Sequence, residues 1–195
     1  MKRQLSTAMS DLVLALSAIW GFRMLHDNPS AEHQYGKWWF MLMTLAATLG
    51  VVRFGALFPR YQSSVLRYHT NFSWLCRALG VPCLAAEVCN VYQLPVLSRG
   101  FLMSAVATFL ASSLKSRHKD HVTDLVNIAS VLTILGLSVT GGNNLLAAAS
   151  VLFIISGIVG SEGDIQLISM SRVDVLHYTL VAINYCIAWG LIEKV

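Results

Sequence analysis

Charged residues are scarce in this chain: they make up 12% of its 195 residues, while hydrophobic residues make up 55%. A soluble domain carries about 25% charged residues. This scarcity excludes a soluble globule, because there are too few charged side chains to cover its surface. It also excludes a disordered chain, which combines low hydrophobicity with high charge. The class that remains is an integral membrane protein.

Cysteines are also few, at four, and no Cys-x-x-Cys pair occurs. This excludes a disulfide-stapled secreted module and a cysteine-based metal site. All four fall in apolar stretches, so we predict small buried apolar residues. The net charge of +4 does not indicate nucleic acid, because Lys and Arg lie in short connections. The expected partners are membrane lipids and other membrane proteins.

Long apolar runs dominate what is present. A bilayer core needs about 20 residues per helix, and the runs are continuous, which excludes the alternating strands of a barrel. The sequence predicts an all-α helix bundle, a single transmembrane domain over residues 1–195 with seven transmembrane helices. The predicted spans are residues 11–25, 38–57, 71–91, 101–114, 122–140, 145–160 and 173–192. The fourth and sixth are short, so six crossings are the alternative if one of them is re-entrant.

Two short patterns have the residues of helix starts. Ser10-Asp11 and Thr123-Asp124 are predicted to be N-caps that open the first and fifth spans. Residues 141–144 read Gly-Gly-Asn-Asn and predict a tight turn. The first span has no small-x-small cleavage pattern after it, so we interpret it as a retained anchor.

The positive charges differ between the two sides of the predicted bundle. One side holds eight Lys and Arg residues and the other holds three. The first group is Lys2, Arg3, Arg60, Arg67, Lys115, Arg117, Lys119 and Arg172, and the second is Lys37, Arg99 and Lys194. The positive-inside rule then places the N-terminus in the cytosol. The glycosylation sequon at Asn71 is predicted to lie on the cytosolic side and to stay unmodified.

Six ionisable residues fall in one predicted layer beneath the cytosolic headgroups. They are Asp11, Arg53, Arg77, Asp124, Asp174 and His177. The predicted midplane contains no ionisable residue, which argues against a proton pump or an ion relay. Three interpretations stay open: helix capping by aspartates that meet the helix dipole, a buried ion-pair network, and a catalytic or ligand site.

A histidine motif lies in the same layer. His118-x-x-His121-x-x-Asp124 places imidazoles at helical spacing, and Asp174 and His177 repeat an Asp-x-x-His step. A zinc site formed by His118 and His121 with His177 or Asp174 is the metal hypothesis. The motif lies in a basic loop that opposes a divalent cation, so solvated loop histidines are the favoured interpretation and no cofactor is expected.

A short internal sequence similarity suggests a further class of protein, a carrier built from two repeats. Ser10-Asp11-Leu12-Val13 resembles Thr123-Asp124-Leu125-Val126, and each segment precedes one span, a turn and a span rich in small residues. Spans one to three and five to seven would then be parallel repeats around a linking fourth span. Such repeats occur in small-solute carriers, whereas chance or shared helix-start physics is the favoured explanation.

Two resemblances carry different implications. The segments Trp38-Trp39-Phe40, Ala46-Ala47-x-Leu49-Gly50 and Phe54-Gly55 resemble small multi-pass transmembrane families, which implies no activity. The seven-span layout, with Asp174 and His177 on the last span, loosely resembles the superfamily of alkaline ceramidases and progestin/adiponectin-type receptors. That resemblance implies zinc held by histidines and cleavage of lipid amides, although the fuller histidine motif of the superfamily is absent here.

The leading prediction is a non-enzymatic membrane component, in the role of an accessory or scaffold protein. Each residue singled out above has an adequate structural explanation, and the short connections leave no room for a soluble catalytic domain. The alternatives are a metal-dependent lipid hydrolase with a site at the cytosolic leaflet, and a small-solute carrier. The predicted location is an integral membrane position, with no signal that specifies an organelle.

Overall fold

The structure is a computed structural model of the 195-residue chain. It describes residues 4–28, 33–111, 116–160, 164–165 and 170–193, with only the backbone described at 116–119, 159 and 164–165. The helices are α1 (Leu5–His26), α2 (Gln34–Phe54), α3 (Gln62–Leu75), α4 (Val81–Val91), α5 (Pro95–Leu110), α6 (Ser116–Thr140), α7 (Asn144–Val159) and α8 (Arg172–Ile192). Two short strands, β1 (Asp164–Ile165) and β2 (Met170–Ser171), pair antiparallel just before α8.

Residues 59–91 form one helical rod that contains a short π-helical segment. A 3₁₀ turn at Pro59–Tyr61 leads into α3, and the π segment Cys76–Gly80 joins α3 to α4. Pro82 follows two residues later and cannot supply an intrahelical hydrogen bond. The looser π turn accommodates that loss, and it places Gly80 where an added Cβ would lie 3.0 Å from the Trp39 ring of α2.

Four helical segments are long and apolar enough to cross a membrane: Leu5–His26, Pro59–Val91, Asp120–Thr140 and Arg172–Ile192. The helical bundle is therefore confirmed, and its composition is that of a membrane protein. Helices α5 and α7 are apolar but have 16 residues each, which corresponds to about 24 Å. The count of seven crossings stays a prediction.

The predicted N-caps at Ser10-Asp11 and Thr123-Asp124 are wrong. Helix α1 begins at Leu5 and α6 at Ser116, so both pairs lie inside helices. Capping residues also serve as buried contacts between helices, and a sequence pattern alone does not separate the two uses.

Two other helix starts do carry side-chain caps. Asn143 accepts a hydrogen bond from the backbone N–H of Leu146 at 3.0 Å, at the start of α7. Ser171 accepts one from the N–H of Asp174 at 3.1 Å, at the start of α8. The predicted turn before α7 is confirmed, because the chain leaves α6 at Thr140 and re-enters a helix at Asn144.

The core lies where α1, α2, α4 and α8 meet. Its largest fully buried side chains include Trp39, Phe40, Leu84, Ile183 and Ile187. In contrast, within an apolar 18-residue stretch of each helix, 28% is buried in α6, compared with 61% in Pro59–Val91. The outward faces of α6 and α7 carry exposed Leu, Ile and Val side chains, as expected of helices that face lipid.

When α3, the π segment and α4 are counted as one rod, successive helices run in alternating directions between two ends of the bundle. The end where α1 begins, called here the N-terminal end, also holds residues 55–61 and the strand pair. A backbone hydrogen bond of 3.0 Å from Gln4 N–H to the carbonyl of Phe54 joins two of these segments. The far end holds residues 27–28, 92–94 and 141–143 and the last turn of α8. The two buried sites that contain ionisable residues lie one at each end.

Candidate functional site

A buried polar cluster joins the first and last helices at the N-terminal end. We call it the Asp11–His177 cluster; it comprises Ser6, Ser10 and Asp11 of α1 and Asp174 and His177 of α8. The Ser10 hydroxyl lies 2.9 Å from Nδ1 of His177 and donates to Oδ1 of Asp174 at 3.0 Å. On the other side of the ring, Nε2 of His177 lies 3.5 Å from Oδ1 of Asp11. The imidazole is thus held between a hydroxyl and a carboxylate.

The centre of the cluster is buried, while Ser6 at its edge is exposed. Ser10 is 0% exposed, Asp11 is 1% exposed and Asp174 is 2% exposed. The second oxygen of Asp174 accepts a hydrogen bond from Ser6 at 2.6 Å, so this carboxylate is satisfied on both sides. Oδ2 of Asp11 has no hydrogen-bond partner among the described residues. Buried carboxylates are costly without partners, so the bundle depends on these contacts.

The contacts that the imidazole of His177 makes depend on where the Ser10 hydroxyl hydrogen points, to Asp174 or to the carbonyl of Thr7. When Ser10 donates its hydroxyl hydrogen to Asp174, its oxygen accepts from Nδ1 of His177. Nε2 then faces a carboxylate oxygen, and this contact is attractive only when a proton lies on one of the two groups. In that arrangement, a single extra proton makes every contact of the imidazole favourable.

Arg53 of α2 extends the cluster towards α3. Its guanidinium donates to Nδ1 of His69 at 3.0 Å and lies 4.5 Å from the centre of the Phe54 ring. Its positive charge also acts on Asp11. The positive charge of Arg53 therefore offsets part of the negative charge that the two carboxylates bring to the cluster.

The six predicted site residues fall into two groups. Asp11, Arg53, Asp174 and His177 come together as described above. Arg77, from the π segment, forms a separate ion pair with Asp124 of α6, and their side chains are 50% and 54% exposed. Asp11 and Asp124 therefore occupy unlike environments, which does not fit two equivalent repeats.

A second buried polar site lies at the far end, and the sequence pattern gave little sign of it. The carboxylate of Glu87, on α4, accepts hydrogen bonds from the backbone N–H groups of Tyr35 at 2.8 Å and Gly36 at 3.0 Å. Its other oxygen lies 3.1 Å from Nδ1 of His33, and both side chains are buried. Glu87 thus caps the N-terminus of α2 from a neighbouring helix. The available signal was a glutamate within an apolar stretch.

The middle of the bundle is linked by uncharged groups. Trp39 donates its indole N–H to Oδ1 of Asn184 at 2.9 Å, and Asn184 donates to the Ser17 hydroxyl at 3.0 Å. Ser17 donates in turn to the carbonyl of Leu14 at 2.8 Å. This chain of hydrogen bonds joins α2, α8 and α1 through uncharged groups.

The described residues do not fit the predicted zinc site. They contain no group of three or more His, Cys, Asp or Glu side chains that could hold a metal ion. His121 is exposed on α6, whereas His177 and Asp174 are buried in the Asp11–His177 cluster. The side chain of His118 lies outside the described residues. Zinc needs its ligands converged at about 2.0–2.2 Å from one point, and the described residues offer no such convergence.

Comparison with protein-family models, with curated proteins and with solved structures finds no match for this chain. The resemblance to the ceramidase superfamily therefore stays a prediction. Function has to be argued from the geometry of the two buried polar sites and of the surface.

Proposed function

We propose that this chain is a non-enzymatic integral membrane component, an accessory or scaffold protein that crosses the bilayer seven times with its N-terminus in the cytosol. One observation carries the proposal. The side chains with catalytic chemistry, Ser10, Asp11 and His177, are used in contacts between α1 and α8 and are buried. Groups enclosed in this way hold helices together and have no route to a substrate.

The alternative of a lipid hydrolase requires an accessible nucleophile. Active sites are concave and receive their substrate from solvent or from the membrane. Ser10 is completely buried, and its hydroxyl is already bound to Asp174 and His177. This arrangement supports a structural role for the Ser, His and Asp residues.

The alternative of a carrier requires an internal path. Trp39, Phe40 and Ile183 fill the centre of the bundle and are at most 2% exposed. The hydrogen bonds that join Trp39, Asn184 and Ser17 cross the same region. A packed and cross-linked centre supports a static component over a transport pathway.

The seven-span topology is supported by the surface of the two short helices. Helix α5 exposes Val96, Met103 and Leu110, and α7 exposes Val151 and Ile158. On α5 these residues lie along the whole helix and on α7 they lie from its middle to its end, and exposed apolar side chains of this kind fit contact with lipid rather than with water.

The topology gives the first prediction. Ser63→Cys at the N-terminal end and Asn90→Cys at the far end, each in a cysteine-free background, should react with a membrane-impermeant maleimide from opposite sides of sealed vesicles. Both residues are polar, exposed and close to the ends of the helical rod at residues 59–91, so side alone should decide the labelling. Asn71 should carry no glycan in the same preparations. Labelling of both cysteines from one side, or a glycan at Asn71, would refute the proposed crossings.

The absence of catalysis gives the second prediction. Full-length protein purified in detergent should contain zinc well below one equivalent per chain, and should not cleave lipid amides or esters above the rate of a Ser10→Ala variant. The physical reason is the burial of Ser10 and the missing third metal ligand among the described residues. Metal analysis and turnover assays measure the two quantities. About one zinc per chain that is lost in His177→Ala, together with hydrolysis lost in Ser10→Ala, would establish the hydrolase instead.

A further inference from the structure

Helix α3 is attached to α2 in a different way along each half of its length. Its second half carries Phe72 and Leu75, which pack against Leu42 and Ala46 of α2. Its first half is held by polar and ring contacts to the last turn of α2. None of the side chains of α3 is buried, so the attachment of the first half depends on those few contacts.

The contacts of the first half converge on two adjacent residues of α2, Arg53 and Phe54. The side-chain amide of Gln62 donates to the backbone carbonyl of Arg53 at 3.1 Å. The guanidinium of Arg53 donates to Nδ1 of His69 at 3.0 Å. The rings of His69 and Phe54 meet edge to face, with centroids 5.8 Å apart and planes at 83°. His69 therefore touches both residues that hold this part of α3.

The hydrogen bond between Arg53 and His69 determines the protonation state of the imidazole. A guanidinium offers N–H donors and no acceptor, and it stays charged in proteins. Nδ1 of His69 must then provide a lone pair, so this contact requires the neutral imidazole with its hydrogen on Nε2. A proton on Nδ1 would set one N–H group against another and bring two positive charges together.

The other groups that face His69 give a proton on its ring no compensation. Arg53 of α2 and His177 of α8 are the groups whose charge acts on it, and Asp11 of α1 acts on Arg53. Among the described residues, no carboxylate lies within 4.0 Å of His69. Residues 33–86 contain neither Asp nor Glu, so α2 and α3 supply no acidic partner. Protonation of His69 therefore turns an attractive contact into a repulsive one.

The π segment Cys76–Gly80 gives α3 a point about which to bend. Such segments interrupt the regular hydrogen-bond ladder of an α-helix, and sharp bends occur at them. The segment lies one turn beyond Phe72, on the far side of the apolar contacts that hold the second half of α3. The first half can therefore move away from α2 while α4 keeps its place in the core.

The length of the rod brings His69 within reach of solvent protons. Pro59–Val91 has 33 residues, which corresponds to about 50 Å, whereas a hydrocarbon core is about 30 Å thick. The α4 end is fixed in the bundle by buried residues such as Val88 and Cys89. The surplus length is therefore at the α3 end, which places the first half of α3 in the headgroup layer.

We propose that His69 is a pH-sensitive switch that controls the attachment of α3 to α2. The neutral imidazole accepts the hydrogen bond of Arg53 and keeps the first half of α3 against α2. On acidification His69 takes up one proton at Nδ1, the charged Arg53 repels it, and residues 62–71 separate from α2. The proposal rests on the contacts of Arg53 and His69 and not on the non-enzymatic role, so the failure of one leaves the other standing.

The test measures hydrogen exchange of the full-length protein in nanodiscs at pH 7.5 and pH 4.5, corrected for the intrinsic effect of pH on exchange. The lower pH is two units below the ordinary pKa of an imidazole, about 6.5. Protection of residues 62–71 should fall by about tenfold or more at pH 4.5, the factor expected when one hydrogen bond to a charged group is lost. Protection of residues 81–91 should stay the same.

Two substitutions at the same position separate the switch from a general effect of acid. His69→Gln keeps an uncharged acceptor that does not titrate, so residues 62–71 should be equally protected at both pH values. His69→Lys places a permanent cation beside Arg53 and should lose that protection at pH 7.5 as well. The matched control is His121→Gln, an exposed histidine on α6, which should keep the response of wild type.

Nitrogen-15 spectra of the imidazole measure the proton itself and do not depend on how well a variant folds. At pH 7.5 the ring of His69 should be neutral with its hydrogen on Nε2, and its protonation should follow the same pH curve as the loss of protection at residues 62–71. A hydrogen on Nδ1 at pH 7.5 would overturn the proposal. So would a pH response that persists in His69→Gln, or a loss of protection at residues 81–91 that accompanies the loss at residues 62–71.

Discussion

Gly50→Ala is expected to destabilise the folded bundle by about 1–3 kcal/mol, the cost of inserting a methyl group into a packed core. A Cβ at this position of α2 would overlap the carboxyl group of Asp11 on α1. Asp11 is buried and held beside His177, so it cannot turn towards solvent. Thermal unfolding in detergent micelles, followed by intrinsic tryptophan fluorescence, measures the loss.

The matched control is Gly136→Ala on α6. A Cβ there would meet no atom within 4 Å, and alanine in a helix is more favourable than glycine by about 0.5–1 kcal/mol. This variant should unfold at the same temperature as wild type or slightly above it.

A double variant tests the contact directly. Because Gly50 lies against Asp11, the double variant Gly50→Ala with Asp11→Ala should lose less stability than the sum of the single losses. Equal behaviour of Gly50→Ala and Gly136→Ala would show that Asp11 does not lie against α2.

Glu87→Ala is expected to destabilise the bundle by about 1–3 kcal/mol for each buried hydrogen-bond donor that it leaves without an acceptor. The substitution leaves the N–H groups of Tyr35 and Gly36 without their acceptor, and it leaves His33 buried beside a cavity. The first turn of α2 should loosen before the rest of the helix. Hydrogen exchange at residues 34–37, together with the unfolding temperature, measures both effects.

Asp124→Ala is the contrasting control for Glu87→Ala. Its ion pair with Arg77 is half exposed, and exposed pairs contribute about 0–1 kcal/mol. Glu87→Gln keeps one acceptor oxygen and should fall between Glu87→Ala and wild type. Equal losses in Glu87→Ala and Asp124→Ala, or unchanged exchange at the start of α2, would contradict the capping role of Glu87.

The helical class could be read from composition because it follows from many residues at once. Continuous apolar runs and turn residues place α7 and α8 within one residue of their predicted starts. The start of α1 could not be placed in this way. Ser10 and Asp11 have the chemistry of an N-cap, but their partners are on α8, and the Ser10–His177 contact joins residues 167 positions apart.

The candidate site was predicted where its residues lie close in sequence. The Asp-x-x-His step of Asp174 and His177 placed both on one face of a helix, and in the structure both contact Ser10. His69 and the pair of His33 with Glu87 were missed, because each depends on contacts between separate helices. A sequence shows which buried groups need partners but not which partner each one has.

The pairing of α1 with α8 has a consequence for how the protein is made. Ser10, Asp11 and Ser17 on the first helix find their partners on the last helix, at His177, Asp174 and Asn184. During synthesis these groups are made long before α8 exists. Their partners are absent until the final helix is complete, whereas α1 already has α2 to pack against. The contacts between α1 and α8 therefore form last, and a chain that stops before α8 leaves the Asp11 carboxylate without His177.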